Sequence, residues 1–85
     1  MINVMICGAN GKMGHTLSKI ISEDSNTKII CGVDINTTTY DDFPIYKSCD
    51  EFSGKADVII DFSHPSCLDG ILEYAVNTNT PAVLC

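Results

Sequence analysis

The chain has no arginine. Its five basic residues are all lysines, scattered along the sequence, against eleven acidic residues and a net charge of −6. Holding a nucleic-acid backbone needs clustered lysine and arginine, so that class of partner is excluded on charge. Long apolar runs are missing as well, and none approaches the roughly 20 residues that span a bilayer. The opening residues MINVMICGAN lack a basic region, and Asn3 interrupts their apolar stretch, which argues against a signal peptide. A cytoplasmic protein with no membrane partner is expected. There is no C-x-x-C pair among Cys7, Cys31, Cys49, Cys67 and Cys85. An odd count without paired spacing suggests neither a zinc site nor a disulfide framework. The last four lie eighteen residues apart, but their surroundings do not repeat. Reduced, structural thiols are expected at all five, and the two histidines add no metal-ligand pattern.

What is present fits one small domain: 85 residues, 45% of them apolar. Residues 2–7 alternate with the period of a strand. Met13, Leu17, Ile20 and Ile21 then follow the spacing of a helix with one apolar face, closed by the turn-forming SEDSN of Ser22 to Asn26. TKIICGVD is a second strand ending at Asp34. A polar loop with the DDFP turn leads to a short third strand near Pro44 to Lys47, and SCDEF adds one helical turn. ADVIIDF reads as a strand buried on both faces of a parallel sheet. SHP starts a helix, since proline fits a first turn, and Leu68, Ile71, Leu72, Ala75 and Val76 form its apolar face, with Gly70 a mild weakness. NTNTP ends it before a last strand, AVLC. Strands alternating with helices predict an α/β, Rossmann-like doubly wound parallel sheet with strand order 3-2-1-4. It is expected to be cut off after the last strand, at Cys85.

The stretch ICGANGKMGH poses the functional question. Gly11-Lys12 hints at a nucleoside-triphosphate loop, but that loop needs a serine or threonine after the lysine and a glycine five residues before Gly11. Met13 and Ile6 stand there instead. A dinucleotide site requires a strand, a glycine turn, a helix opening at that turn, and an acid about 20 residues on. Gly8, Gly11 and Gly14 follow the first strand, and Asp34 stands twenty residues after Gly14. Gly8 is expected to make the tight turn. Gly11 lets N–H groups approach a pyrophosphate at the helix N-terminus, and Gly14 lets the helix pack close to the sheet. Asn10 stands where the strict fingerprint has glycine, a mild departure because asparagine tolerates left-handed backbone. The alternative is that the glycines only join strand to helix.

Asp34 is the expected selector: a carboxylate there accepts from ribose hydroxyls and repels a 2′-phosphate. It could also be a solvated strand-end acid. Ile35 follows it, so no arginine is adjacent to hold a 2′-phosphate, while Lys12 brings positive charge near the phosphates. NAD(H) is the expected cofactor, with NADP(H) tolerated. Across the crevice, Ser63, His64 and Pro65 are expected to face Gly8 to Asn10, with Phe62, Ser63 and His64 the expected cofactor-binding residues there, and His64 either contacts the cofactor or opens the following helix. Asp61 is expected to pin N–H groups of its own turn, and His15 to be exposed.

GANGKMG (Gly8 to Gly14, including Ala9, Lys12 and Met13) and DFSHP (Asp61 to Pro65) together resemble the N-terminal domain of the dihydrodipicolinate reductase family, also called 4-hydroxy-tetrahydrodipicolinate reductase. That family's patterns are G-A-x-G-[RK]-M-G and D-F-[ST]-x-P, in register over essentially the whole chain. The resemblance implies an enzyme of lysine and diaminopimelate biosynthesis that moves hydride from NADH or NADPH to a cyclic unsaturated dicarboxylate. Gly8 to Met13 would line the pyrophosphate, with Lys12 the basic contact, and Asp34 would hold the ribose. The DFSHP turn would flank the cofactor. Some members carry arginine where Ile35 stands. The family's G-T-T-G loop would begin near Cys85, so residues 1–85 would be the dinucleotide-binding domain. The catalytic residues and most contacts of a homotetramer would lie outside it, and the chain alone would be inactive. Another Rossmann oxidoreductase, a methyltransferase and a non-catalytic nucleotide sensor are the competing readings.

Overall fold

A computed structural model describes residues 1–39 and 42–85, so part of the expected DDFP turn lies outside the described residues. Five parallel strands form one sheet in the order β3-β2-β1-β4-β5. The strands are β1 (Ile2–Cys7), β2 (Thr27–Val33), β3 (Ile45–Tyr46), β4 (Val58–Asp61) and β5 (Ala82–Leu84). Two helices, α1 (Lys12–Ser22) and α2 (Leu68–Asn77), join them, with 3₁₀ turns at Cys49–Glu51 and Pro65–Cys67. The expected fold class and strand order are those observed.

β1 shows why the sheet is covered on both sides. Successive side chains of a strand point to opposite faces. Val4 and Ile6 pack with Ala9, Phe43 and Ile21 of α1, whereas Met5 and Cys7 pack with Ile59 and with Ile71, Tyr74 and Ala75 of α2. The alternation of residues 2–7 therefore sorts two cores rather than core from solvent. Each such fully buried aliphatic side chain contributes about 1.5–3 kcal/mol.

The helices bury narrower faces than their apolar spacing predicts. In α1 the buried positions are Gly14, Ser18 and Ile21, while Met13 and Ile20 are exposed. In α2 the buried positions are Ile71, Tyr74 and Ala75, and Leu72 and Val76 are exposed. Only a strip one or two residues wide is buried in each helix: Gly14, Ser18 and Ile21 in α1, and the larger Ile71 and Tyr74 with Ala75 in α2. α2 stops where Asn79 takes left-handed backbone (φ 53°) and Thr80 N–H reaches back to Ala75 O at 2.9 Å. Lys55 Nζ ties the approach to β4 to this turn through Thr78 O and Thr80 Oγ1. Proline does open the segment after β4, though as a 3₁₀ turn before α2 begins at Leu68. Cys7, Cys31 and Cys49 are buried, which fits the structural thiols expected, whereas Cys67 is half-buried and Cys85 is exposed. No described helix is long and apolar enough to cross a membrane.

Candidate functional site

The carboxyl ends of β1, β2, β3 and β4 open on one cavity of about 480 Å³. That is where ligands bind in open parallel sheets, and the size is ordinary for a ligand pocket. Gly8 and Gly11 line it from the glycine turn, Asp34 and Ile35 from the end of β2, and Phe62, Ser63 and His64 from the end of β4.

Gly8 is the residue the turn cannot replace. Its φ of +79° is left-handed, and a Cβ there would lie 2.9 Å from the backbone of Phe62 and Ser63. The glycine turn and the DFSHP turn therefore touch backbone to backbone. Asn10 does not use its tolerance of left-handed backbone. Among the described residues Asn79 alone, apart from glycine, has positive φ. Asn10 acts through hydrogen bonds instead: its N–H donates to Asp34 Oδ2 at 2.9 Å, and its side-chain amide donates to Asn36 O and Thr38 O at 2.5 and 2.8 Å. Gly14 differs from expectation. A Cβ on it would sit 2.5 Å from Ala9 O and against Gly8 O, so it makes room for the turn's own carbonyls rather than for the sheet.

Gly11 is the N-cap of α1, without a side-chain cap, and its own N–H is bound to Gly8 O at 3.1 Å. The first intrahelical bond runs from His15 N–H to Gly11 O. The N–H groups of Lys12, Met13 and Gly14 precede it, and among the described residues none has an acceptor. No acid lies in this first turn. Three open donors at the positive end of a helix dipole can hold a phosphate.

Asp34 is half-buried, and its Oδ1 accepts from Asn36 N–H at 3.2 Å. Each oxygen thus has one internal donor and a lone pair remaining for a ligand hydroxyl. Asp61 behaves as expected: buried, it accepts the Ser63 N–H at 2.7 Å and the Ser63 hydroxyl, which shapes the turn after β4. His64 caps the next 3₁₀ turn, its Nδ1 accepting Ser66 N–H at 3.1 Å. His64 thus opens the turn, as one of its two readings expected, and it also lines the cavity.

Of the other expected residues, Ala9 is buried in the core, and Lys12 and Met13 are exposed on the first turn of α1 without lining the cavity. Residues 47–50 are the wall that sequence reasoning missed. They follow β3, and every strand of a parallel sheet delivers its carboxyl end to the same side, so the short third strand was the available signal. Cys7 and Cys49 sit together in the cavity floor with sulfurs 3.9 Å apart. The contact and burial push the Cys7 thiol well above its ordinary range, while the Cys7 S–H lowers Cys49. Burial pushes Cys31 up to about 12.

Comparison with known proteins bears on the fold and the family. A solved structure described as dipicolinate-bound dihydrodipicolinate reductase from Paenisporosarcina sp. TG-14 superposes with a TM-score of 0.85, covering 99% of this chain and 37% of that one at 21% identity. The 4-hydroxy-tetrahydrodipicolinate reductase of Clostridium tetani is 35% identical over 85 residues, which is all of this chain and 33% of the relative. That of Caldanaerobacter subterraneus subsp. tengcongensis is 37% identical over 84 residues, covering 99% and 33%. The chain spans about a third of the length of these curated relatives. The family profile described as dihydrodipicolinate reductase, N-terminus, matches residues 2–85. The chain belongs to the dihydrodipicolinate reductase N-terminal family.

Proposed function

We propose that the chain binds a nicotinamide dinucleotide, as the nucleotide-binding part of a reductase that passes hydride to a cyclic unsaturated dicarboxylate in lysine and diaminopimelate biosynthesis. The supporting observation is the backbone contact of Gly8 with Phe62 and Ser63, which gathers the glycine turn, Asp34 and His64 around one cavity. The pyrophosphate lies against the open N–H groups of Lys12, Met13 and Gly14, with Lys12 adding charge. Asp34 accepts from the adenosine ribose, and exposed Ile35 gives the base an apolar face. Phe62, Ser63 and His64 border the cofactor on the side of β4. Ala9 and Asn10 act from beneath, holding the turn in shape.

When bound, the dinucleotide supplies the hydride. These 85 residues supply its binding and orientation, and the substrate and catalytic groups come from a further domain. NAD(H) is the favoured cofactor, with NADP(H) accepted, in a cytoplasmic homotetramer of the full-length enzyme.

Calorimetric titration with NADH, NADPH and S-adenosylmethionine tests the reading. Saturable binding of a dinucleotide and none of S-adenosylmethionine is expected. Binding of S-adenosylmethionine with no response to either dinucleotide would overturn it.

A further inference from the structure

Among the described residues lining the cavity, the lysine is not that of the glycine stretch but Lys47. Strand register brings it there. β3 pairs with β2 through Gly32–Ile45 and Val33–Tyr46, and Asp34 N–H donates to Tyr46 O at 2.9 Å. Asp34 and Lys47 are thus the next residues out on two adjacent parallel strands. Both line the cavity, with Ile35 beside them.

The charges of this wall are unequal in their commitments. Asp34 is already held by two backbone N–H groups. The Lys47 ammonium has no hydrogen bond or ion pair among the described residues. Asp50, from the following 3₁₀ turn, is the other acid of the wall. Without Lys47, the charged side chains left at the Asp34 end of the described lining would be carboxylates.

We infer that Lys47 sets cofactor specificity: its charge offsets Asp34 and lets the site accept a ribose carrying a 2′-phosphate. The inference rests on the dinucleotide reading above. Asp34 serves the ribose hydroxyls of NADH, and Lys47 serves the extra phosphate of NADPH. An ammonium suits this task because a flexible point charge can approach a phosphate without a fixed bidentate geometry.

The test is titration of the full chain, wild type and the variants Lys47→Gln and Lys47→Arg, with NADH and NADPH at low salt and at about 0.5 M salt. Lys47→Gln should weaken NADPH about five- to tenfold, the scale of one partly screened charge pair, and NADH less than about twofold. Lys47→Arg should retain NADPH binding, and high salt should shrink the difference between wild type and Lys47→Gln. Loss of both dinucleotides to the same extent, or of neither, in Lys47→Gln overturns the inference and leaves the dinucleotide reading standing. Wild-type protein that binds neither dinucleotide overturns the reading itself. Lys47 is exposed, and a circular dichroism spectrum unchanged by substitution separates loss of binding from loss of fold.

Discussion

The Asp34 carboxylate accepts the backbone N–H of Asn10 at 2.9 Å, which ties the end of β2 to the glycine turn that leaves β1. These residues are 24 apart in sequence, yet the bond joins the two parts that a dinucleotide would bridge. The acid thus shapes the phosphate turn while keeping lone pairs toward the cavity. Asn10 completes the brace by donating its side-chain amide to the loop after Asp34.

Asp34→Ala should weaken NADH about tenfold or more, near the lower end of what one charge-assisted hydrogen bond contributes. NADPH should lose less, because removing the carboxylate also removes its repulsion of a 2′-phosphate. Calorimetry with both cofactors reads the ratio. Equal losses would show that Asp34 serves only as a brace.

Two glycine substitutions should have opposite signs. Gly8→Ala forces a side chain into left-handed backbone, costing about 1–2 kcal/mol, and adds a collision with Phe62 and Ser63. Gly70 lies inside α2, where a Cβ would meet nothing within 4 Å, so Gly70→Ala should stabilise by about 0.5–1 kcal/mol. Urea midpoints measure both.

Alkylation should separate the thiols. Cys85 is exposed and should react first in the native protein. Cys31 has a thiol that burial pushes up to about 12, which disfavours its reactive thiolate. It and Cys7 should be labelled only after unfolding, a pattern that mass spectrometry of the labelled peptides resolves. Rapid native labelling of Cys31 would contradict its burial.

Asp24, in the turn between α1 and β2, accepts Asn26 N–H at 2.9 Å and the Thr27 hydroxyl at 2.8 Å, and these bonds lower its pKa from 3.8. A depressed folded value means that the carboxylate stabilises the fold above the ordinary pKa. That stabilisation is lost as pH falls through the lower folded value. Asp24→Asn should therefore be less stable than wild type at neutral pH, and the gap should close below about pH 4. Urea unfolding near pH 7 and near pH 3 checks the sign.

The order of elements is readable along the chain because it rests on local causes. Period-two and helical spacing, glycine and proline at turns, and an acid at a strand end each act within a few residues. Gly8, Gly11, Asp34 and the DFSHP turn share one cavity for a related reason, since parallel strands must send their carboxyl ends to one side. Asp61 follows from a single argument, that a buried carboxylate needs donors, and it has them in Ser63.

Other features depend on how distant segments meet. Apolar spacing does not reveal which helix residues are buried, because packing distance, and not hydrophobicity, leaves Met13, Ile20 and Val76 outside and admits Gly14 and Ser18. Backbone tolerance is the local property of Asn10, but its partners, Asp34, Asn36 and Thr38, arrive from the next strand and loop. Lys47 joins the cavity only through the register of β3 against β2. A chain pattern specifies periodicity and turn chemistry. The neighbours across a sheet are set by register and by the close backbone approach at Gly8, both of which are long-range.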